Sequence, residues 1–170
     1  MAETKITYSS NTAITLDLSS LATSSTFLTG VESTQIDNTT TLYDDALVNV
    51  KGITGHATTA PAVGQYIGIW VWGADTSLAT TAIDTLDGTN SAEALNHAAV
   101  LNSFRPGGAP IVTVATAALS YYVMPFSVAA LFGGVLPKFW GLYVAHNHTG
   151  ALGASNNSLF SFNGITYTTV

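Results

Sequence analysis

The chain has no cysteine and few charges: 8% of its 170 residues are charged, and only four of them are Lys or Arg. Without cysteine there is no disulfide framework and no thiolate chemistry. Four cations argue against nucleic-acid binding, whose affinity comes largely from neutralised phosphates. Acidic groups are missing from one half altogether. All ten carboxylates lie between Glu3 and Glu93, accompanied only by Lys5 and Lys51, so that stretch carries −8. From Ala94 to Val170 the only charges are Arg105 and Lys138, +2 in total. What is present is apolar and β-branched: 47% hydrophobic residues, with Thr scattered through the apolar runs. Disorder, which pairs low hydrophobicity with high charge, is excluded. The first ten residues contain no apolar stretch of signal-peptide length, so synthesis in the cytoplasm is expected.

The uncharged run between Arg105 and Lys138 is long enough to be tested as a membrane span. Pro110, Pro125, Gly133-Gly134 and the central Tyr121-Tyr122 argue against a spanning helix, which needs about 20 predominantly apolar residues. Buried strands fit the run better, and no membrane partner is expected.

Scarce helix formers and abundant Thr point to an all-β chain. Residues 1–10 read as an extended N-terminal arm, and 11–170 as one antiparallel β-sandwich. Thr12–Leu18 alternates, with Ile14, Leu16 and Leu18 on one face. Leu42–Ile53 alternates as well. Gln65–Gly73 is apolar on both faces, as in a central strand or an oligomer contact. Residues 74–90 form a loop-like insertion ending in Asp87-Gly88, and Ser91–His97 is predicted as a short helix. Ala98–Phe104, Ile111–Ala117, Tyr121–Met124, Ser127–Phe132 and Phe139–Asn147 are predicted strands, with Arg105–Pro110 a turn. Asn163-Gly164, between Leu159–Phe162 and Ile165–Thr169, carries the signal of a two-residue hairpin turn. Eight to ten short strands without a repeat fit a jelly roll or an immunoglobulin-like sandwich, and the jelly roll is preferred. The acidic half is expected to supply solvent-facing loops, and 94–170 mostly core and neutral subunit contact.

Few residues suggest chemistry. Asp44 and Asp45 are strand neighbours, point to opposite faces, and read as a solvated strand end. Asp75, Asp84 and Asp87 share one loop but lack the alternate spacing of a calcium loop. His146 and His148, at i and i+2 on a strand, place two imidazoles on one face and are the weak metal candidates. A third ligand would have to come from His56, His97 or a remote Asp. There is no Gly-x-Ser-x-Gly elbow and no phosphate loop, so no catalytic residue, no cofactor and no enzyme is expected. Trp70, Trp72 and Trp140 could stack on sugars, although aromatics at strand spacing usually belong to a core. The sequons at Asn38, Asn147 and Asn156 matter only in a eukaryotic secretory route.

Two runs carry a family resemblance. Glu-Ser-Thr-Gln-Ile-Asp-Asn-Thr-Thr-Thr-Leu-Tyr-Asp-Asp-Ala-Leu-Val-Asn-Val-Lys (32–51) resembles a segment of small structural proteins of tailed bacteriophages. Pro-Phe-Ser-Val-Ala-Ala-Leu-Phe-Gly-Gly-Val-Leu-Pro-Lys-Phe-Trp-Gly-Leu-Tyr-Val (125–144) does too, as does the pattern Asn147, Thr149-Gly150 and a closing hairpin through Tyr167. The resemblance covers about a third of the chain, and the 74–97 insertion departs from it. It implies a virion component on the outer surface of the head: a capsid decoration (cement) protein, jelly-roll-like, bound as a homotrimer to the major capsid protein. Ile6, Tyr8, Trp70 and Trp72 are the residues expected at its interfaces. The alternative is a tail or baseplate protein, or a host-surface sandwich binding glycans.

Overall fold

A computed structural model describes residues 3–170. In chain order the elements are β1 (Thr4–Tyr8), β2 (Thr12–Ile14), β3 (Thr29–Glu32), β4 (Ile36–Asp37), β5 (Asp45–Val50), β6 (Ile53–Thr54) and β7 (Ile67–Ala74). They continue with β8 (Ser91–Ala94), α1 (Ala98–Ser103), β9 (Arg105–Gly108), β10 (Ser120–Tyr121), β11 (Phe126–Ser127), α2 (Val128–Leu131), β12 (Phe139–His146) and β13 (Phe160–Thr169). The fold is all-β and antiparallel. The first large sheet runs β1-β13-β5-β11, with β2 also on β13; the second runs β8-β3-β12-β7-β9, with β4 also on β12; β6 and β10 form a separate antiparallel pair.

Between the sheets lies the main core. Val48, Phe160 and Phe162 from the first sheet pack with Ile69, Val71, Trp140, Leu142 and Val144 from the second. Ile14, Leu16 and Leu18 all reach this core, as their alternation requires, although only the first lies in a strand. A second core lies on the other face of the second sheet. There Trp72, Tyr143 and Ala145 meet Leu78, Leu86, Leu95 and Phe104, which come from the insertion and the segment after it. A sheet covered on both faces needs apolar residues at successive positions. That is why β7, an inner strand between β12 and β9, reads as apolar on both faces.

Local chemistry overrides pattern in several places. Asn163-Gly164 is not a turn: β13 runs straight through it, with Asn163 opposite Leu47 and Gly164 opposite Ala46. The glycine is there because the ring of Tyr43 lies where a Cβ would be, at 2.5 Å. Ser91–Ala94, predicted helical, pairs with β3 as an edge strand, and the helix begins after His97 in the segment predicted as a strand. Arg105–Gly108, predicted as a turn, is edge strand β9, where Pro106 is tolerated beside a bulge at Ile69/Trp70. Ile111–Ala117 contributes only one isolated bridge, Tyr66 to Ile111. Ser127 caps α2 by accepting from the Ala130 N–H at 3.0 Å, which turns a predicted strand into a helical turn. No helix among the described residues is long and apolar enough to cross a membrane.

The residues expected to form an arm are extended but paired to their own chain. β1 lies against the far end of β13, Thr4 opposite Thr169 through Tyr8 opposite Ile165, and all five of its residues are exposed. Met1 and Ala2 lie outside the described residues.

Candidate functional site

His146 and His148 do lie side by side at the end of β12, ring centroids 5.4 Å apart, and both are buried. The hydrogen bonds of His146 argue against its binding a metal. The His148 backbone N–H donates to Nδ1 of His146 at 3.2 Å, so this nitrogen offers a lone pair and the proton sits on Nε2. Nε2 in turn donates to the Leu21 carbonyl at 2.8 Å. Both ring nitrogens of His146 are used, and the pair joins no cluster of three ligands among the described residues. Burial holds both imidazoles below their ordinary range, His148 down to about 4. His148 packs against Tyr121 at 5.0 Å, and its Nε2 and the Tyr121 hydroxyl are buried without partners. The pair is therefore a neutral core element.

The insertion's aspartates do not converge. Asp84 accepts from the Asn96 backbone and side chain, Asp87 from Thr89, and Asp75 from Thr76. The group that does form was not apparent in the sequence: Glu32, Asp87 and Glu93 bring carboxylate oxygens within 4.8 Å of one another. Glu32 is fully buried, and its two oxygens accept the backbone N–H groups of Asp87 at 3.0 Å and Gly88 at 2.8 Å. It fastens the insertion's turn to the end of β3 in the second sheet. Burial, only partly offset by those N–H groups, pushes its carboxyl up to about 8. Asp45 is likewise no solvated strand end. Its carboxylate is buried and accepts from the Ser127 hydroxyl at 2.6 Å and the Ala129 N–H at 2.8 Å. Asp44 accepts from the Tyr167 N–H at 2.7 Å. The expectation that the acids sit in solvent therefore fails at Glu32 and Asp45.

The tryptophans separate. Trp72 and Trp140 are 1% and 0% exposed, so neither offers a ring to a sugar, and Trp72 is corrected from interface to core. Trp70 is half-buried. With Tyr66, Gly68, Pro106 and Ile111 it lines an apolar cleft of about 300 Å³. Its ring lies over Gly68, where any Cβ would collide with it. Phe27, held at φ 59 in the left-handed region, stacks on Tyr66 at 4.5 Å and meets Trp70 edge-on at 5.7 Å. A bulky residue at positive φ is strained and persists only where its surroundings over-determine it.

Exposed large apolar side chains gather in two stretches, with Leu42, Val63 and Val135 standing singly elsewhere. The irregular run between β9 and β11 exposes Ile111, Val114, Tyr122 and Met124. Thus part of the uncharged half is open surface rather than core. The β1–β13 ribbon exposes Ile6 at 52%, Tyr8 at 59% and Tyr167. Ile6 and Tyr8 are therefore available to a partner. The sequence signal for the first place was its breakers, Pro110 and Pro125, which keep an apolar run out of the sheets.

Comparison with protein-family models, with curated proteins and with solved structures found no match to this chain.

Proposed function

We propose that the chain is a non-enzymatic structural subunit of a tailed-bacteriophage particle: a capsid decoration protein that binds the assembled head shell and stabilises the joints between capsomers. The observation that carries this reading concerns the two phage-like segments, which are each other's packing partners. Phe126 and Ser127 pair with Val48 and Leu47; Phe139 and Trp140 pair with Asp37 and Ile36; Tyr143 pairs with Glu32. Asp45 of the first segment caps the helix of the second. The resemblance thus falls on one cooperating framework that spans both sheets. The exposed apolar residues at Ile6, Tyr8, Tyr122 and Met124 give such a framework surfaces suited to broad, weakly polar contacts. Its partners in this reading are the major capsid protein and copies of itself, in a homotrimer, on the outer surface of the head. The test is biochemical: purified particles carry many copies, and particles stripped of the protein lose resistance to heat and osmotic shock. Absence from mature particles overturns the reading.

A second reading, a tail, baseplate or host-surface protein that binds glycans, draws on the aromatic cleft at Tyr66 and Trp70. A glycan array decides it: millimolar sugar retained by the native chain and lost in Trp70→Ala supports it, and no retention removes it.

A further inference from the structure

The first sheet ends at β1, and nothing among the described residues pairs with that strand's outer edge. Its hydrogen-bonding parity can be read directly. Glu3 and Val170 exchange both backbone bonds, at 3.1 and 2.8 Å, and the Ser9 N–H reaches the Gly164 carbonyl at 2.8 Å. In an antiparallel ladder such pairs alternate with pairs whose N–H and C=O groups point away from the partner strand. Glu3, Lys5, Thr7 and Ser9 therefore face β13, and Thr4, Ile6 and Tyr8 present their main-chain groups to the open edge. Side chains alternate independently across the ribbon. Ile6 sits directly opposite Tyr167, and Tyr8 is two residues along on the same face, so that face is apolar and exposed.

Other edges of the molecule carry devices that discourage pairing. β8 bears Glu93, β9 bears Pro106, and β11 is two residues long. β1 has one such charge, Lys5, at its second residue, and that position chooses a register.

We propose that the outer edge of β1 is a two-fold contact between copies of this chain, with β1 antiparallel to the partner's β1 and Ile6 opposite the partner's Ile6. In this register Thr4 faces the partner's Tyr8 and Tyr8 faces the partner's Thr4. All three outward-facing residues of each strand are paired, and Lys5 stands opposite the partner's Thr7. Sliding until Thr4 meets the partner's Ile6 sets Lys5 against the partner's Lys5 and carries Tyr8 past the end of the partner's β1. Sliding the other way, until Ile6 meets the partner's Tyr8, leaves Thr4 unpaired. The chosen register also joins the two apolar ribbon faces into one stripe through Tyr8 and Ile6 of each copy. The contact is small, so it is weak between free molecules and strengthens where many copies are held side by side. A two-fold contact cannot close a trimer, so in the proposed reading it joins one trimer to the next, whatever those copies are mounted on.

The absence of cysteine makes the test clean. Residues in a hydrogen-bonded antiparallel pair have Cα atoms about 5.5 Å apart, inside the range of about 4.4–6.8 Å that a disulfide spans. Under mild oxidation Ile6→Cys is expected to form a covalent dimer at least ten times faster than Thr7→Cys, whose opposite number is the partner's Lys5. Thr4→Cys and Tyr8→Cys, each slow alone, are expected to cross-link when mixed. Circular dichroism confirms that each exposed-site variant is folded. Equal rates for Ile6→Cys and Thr7→Cys, or a mixture no faster than its components, overturn the proposal.

Discussion

Two strand pairs of this molecule make opposite use of the same residue types. β12 and β7 pair along eight positions, from Phe139 opposite Ala74 to His146 opposite Ile67, with a core on either side. β1 and the distal half of β13 also pair in unbroken register, yet Ile6, Tyr8, Tyr167 and Val170 are exposed. Both pairs are rich in apolar and β-branched side chains; only the first has layers to bury them. An isolated two-stranded ribbon is marginal in water. The sandwich holds the inner pair, whereas the ribbon is held by its continuity with β13 and by side chains such as Asp44 on the Tyr167 N–H.

The sharpest way to break this contrast is to empty the inner pair. Trp140→Ala removes a fully buried ring that meets Phe162 edge-on at 5.4 Å. It is expected to cost about 3–5 kcal/mol in denaturant unfolding. Next comes the link between β5 and α2: Asp45→Ala strands the N–H of Ala129 and the Ser127 hydroxyl, at a cost of about 1–3 kcal/mol.

The third effect is a pH dependence. Glu32 keeps its proton in the fold up to about pH 8, against an ordinary value of 4.5, so the folded state binds the extra proton and stability falls as pH rises through that window. His146 and His148 act in the opposite sense, because their folded values lie below 6.5 and stability falls as pH drops beneath it. The two trends oppose each other at mildly acidic pH, and between 6.5 and 8 Glu32 acts without them. The melting temperature is therefore expected to decline over that upper interval in the native chain and stay level in Glu32→Gln. A decline that persists in the variant assigns the effect to another group. The smallest effect belongs to the ribbon: Ile6→Thr is expected to shift monomer stability by no more than about 0.5 kcal/mol. A large loss would mean the ribbon is part of the core after all.

The strands that bury one or both faces were legible because burial writes itself as periodicity. Examples are Thr12–Leu18, the alternation around Val48, and the doubly apolar Gln65–Gly73. Where a side chain replaced a backbone partner, the pattern misled. Ser127 with Asp45 made a helical turn from a β-like run, and Tyr43 needed the bare face of Gly164 that reads as a turn. The site was less legible still. His146 and His148 were found as neighbours, but their fate depended on the Leu21 carbonyl, 125 positions away in the chain. Glu32 gave no local sign of the turn at Asp87-Gly88 that it secures, because that contact exists only once the insertion has folded back.

That folding back has a consequence measured in time. With a core on each face and hydrogen-bonded neighbours on both sides of their central residues, β7 and β12 shield those amides from solvent. Their deuterium exchange is slaved to opening of the whole molecule. The ribbon amides at Thr4, Ile6 and Tyr8, which face outward, exchange almost at once. A partner strand on that edge would thus register as protection at alternate residues of β1.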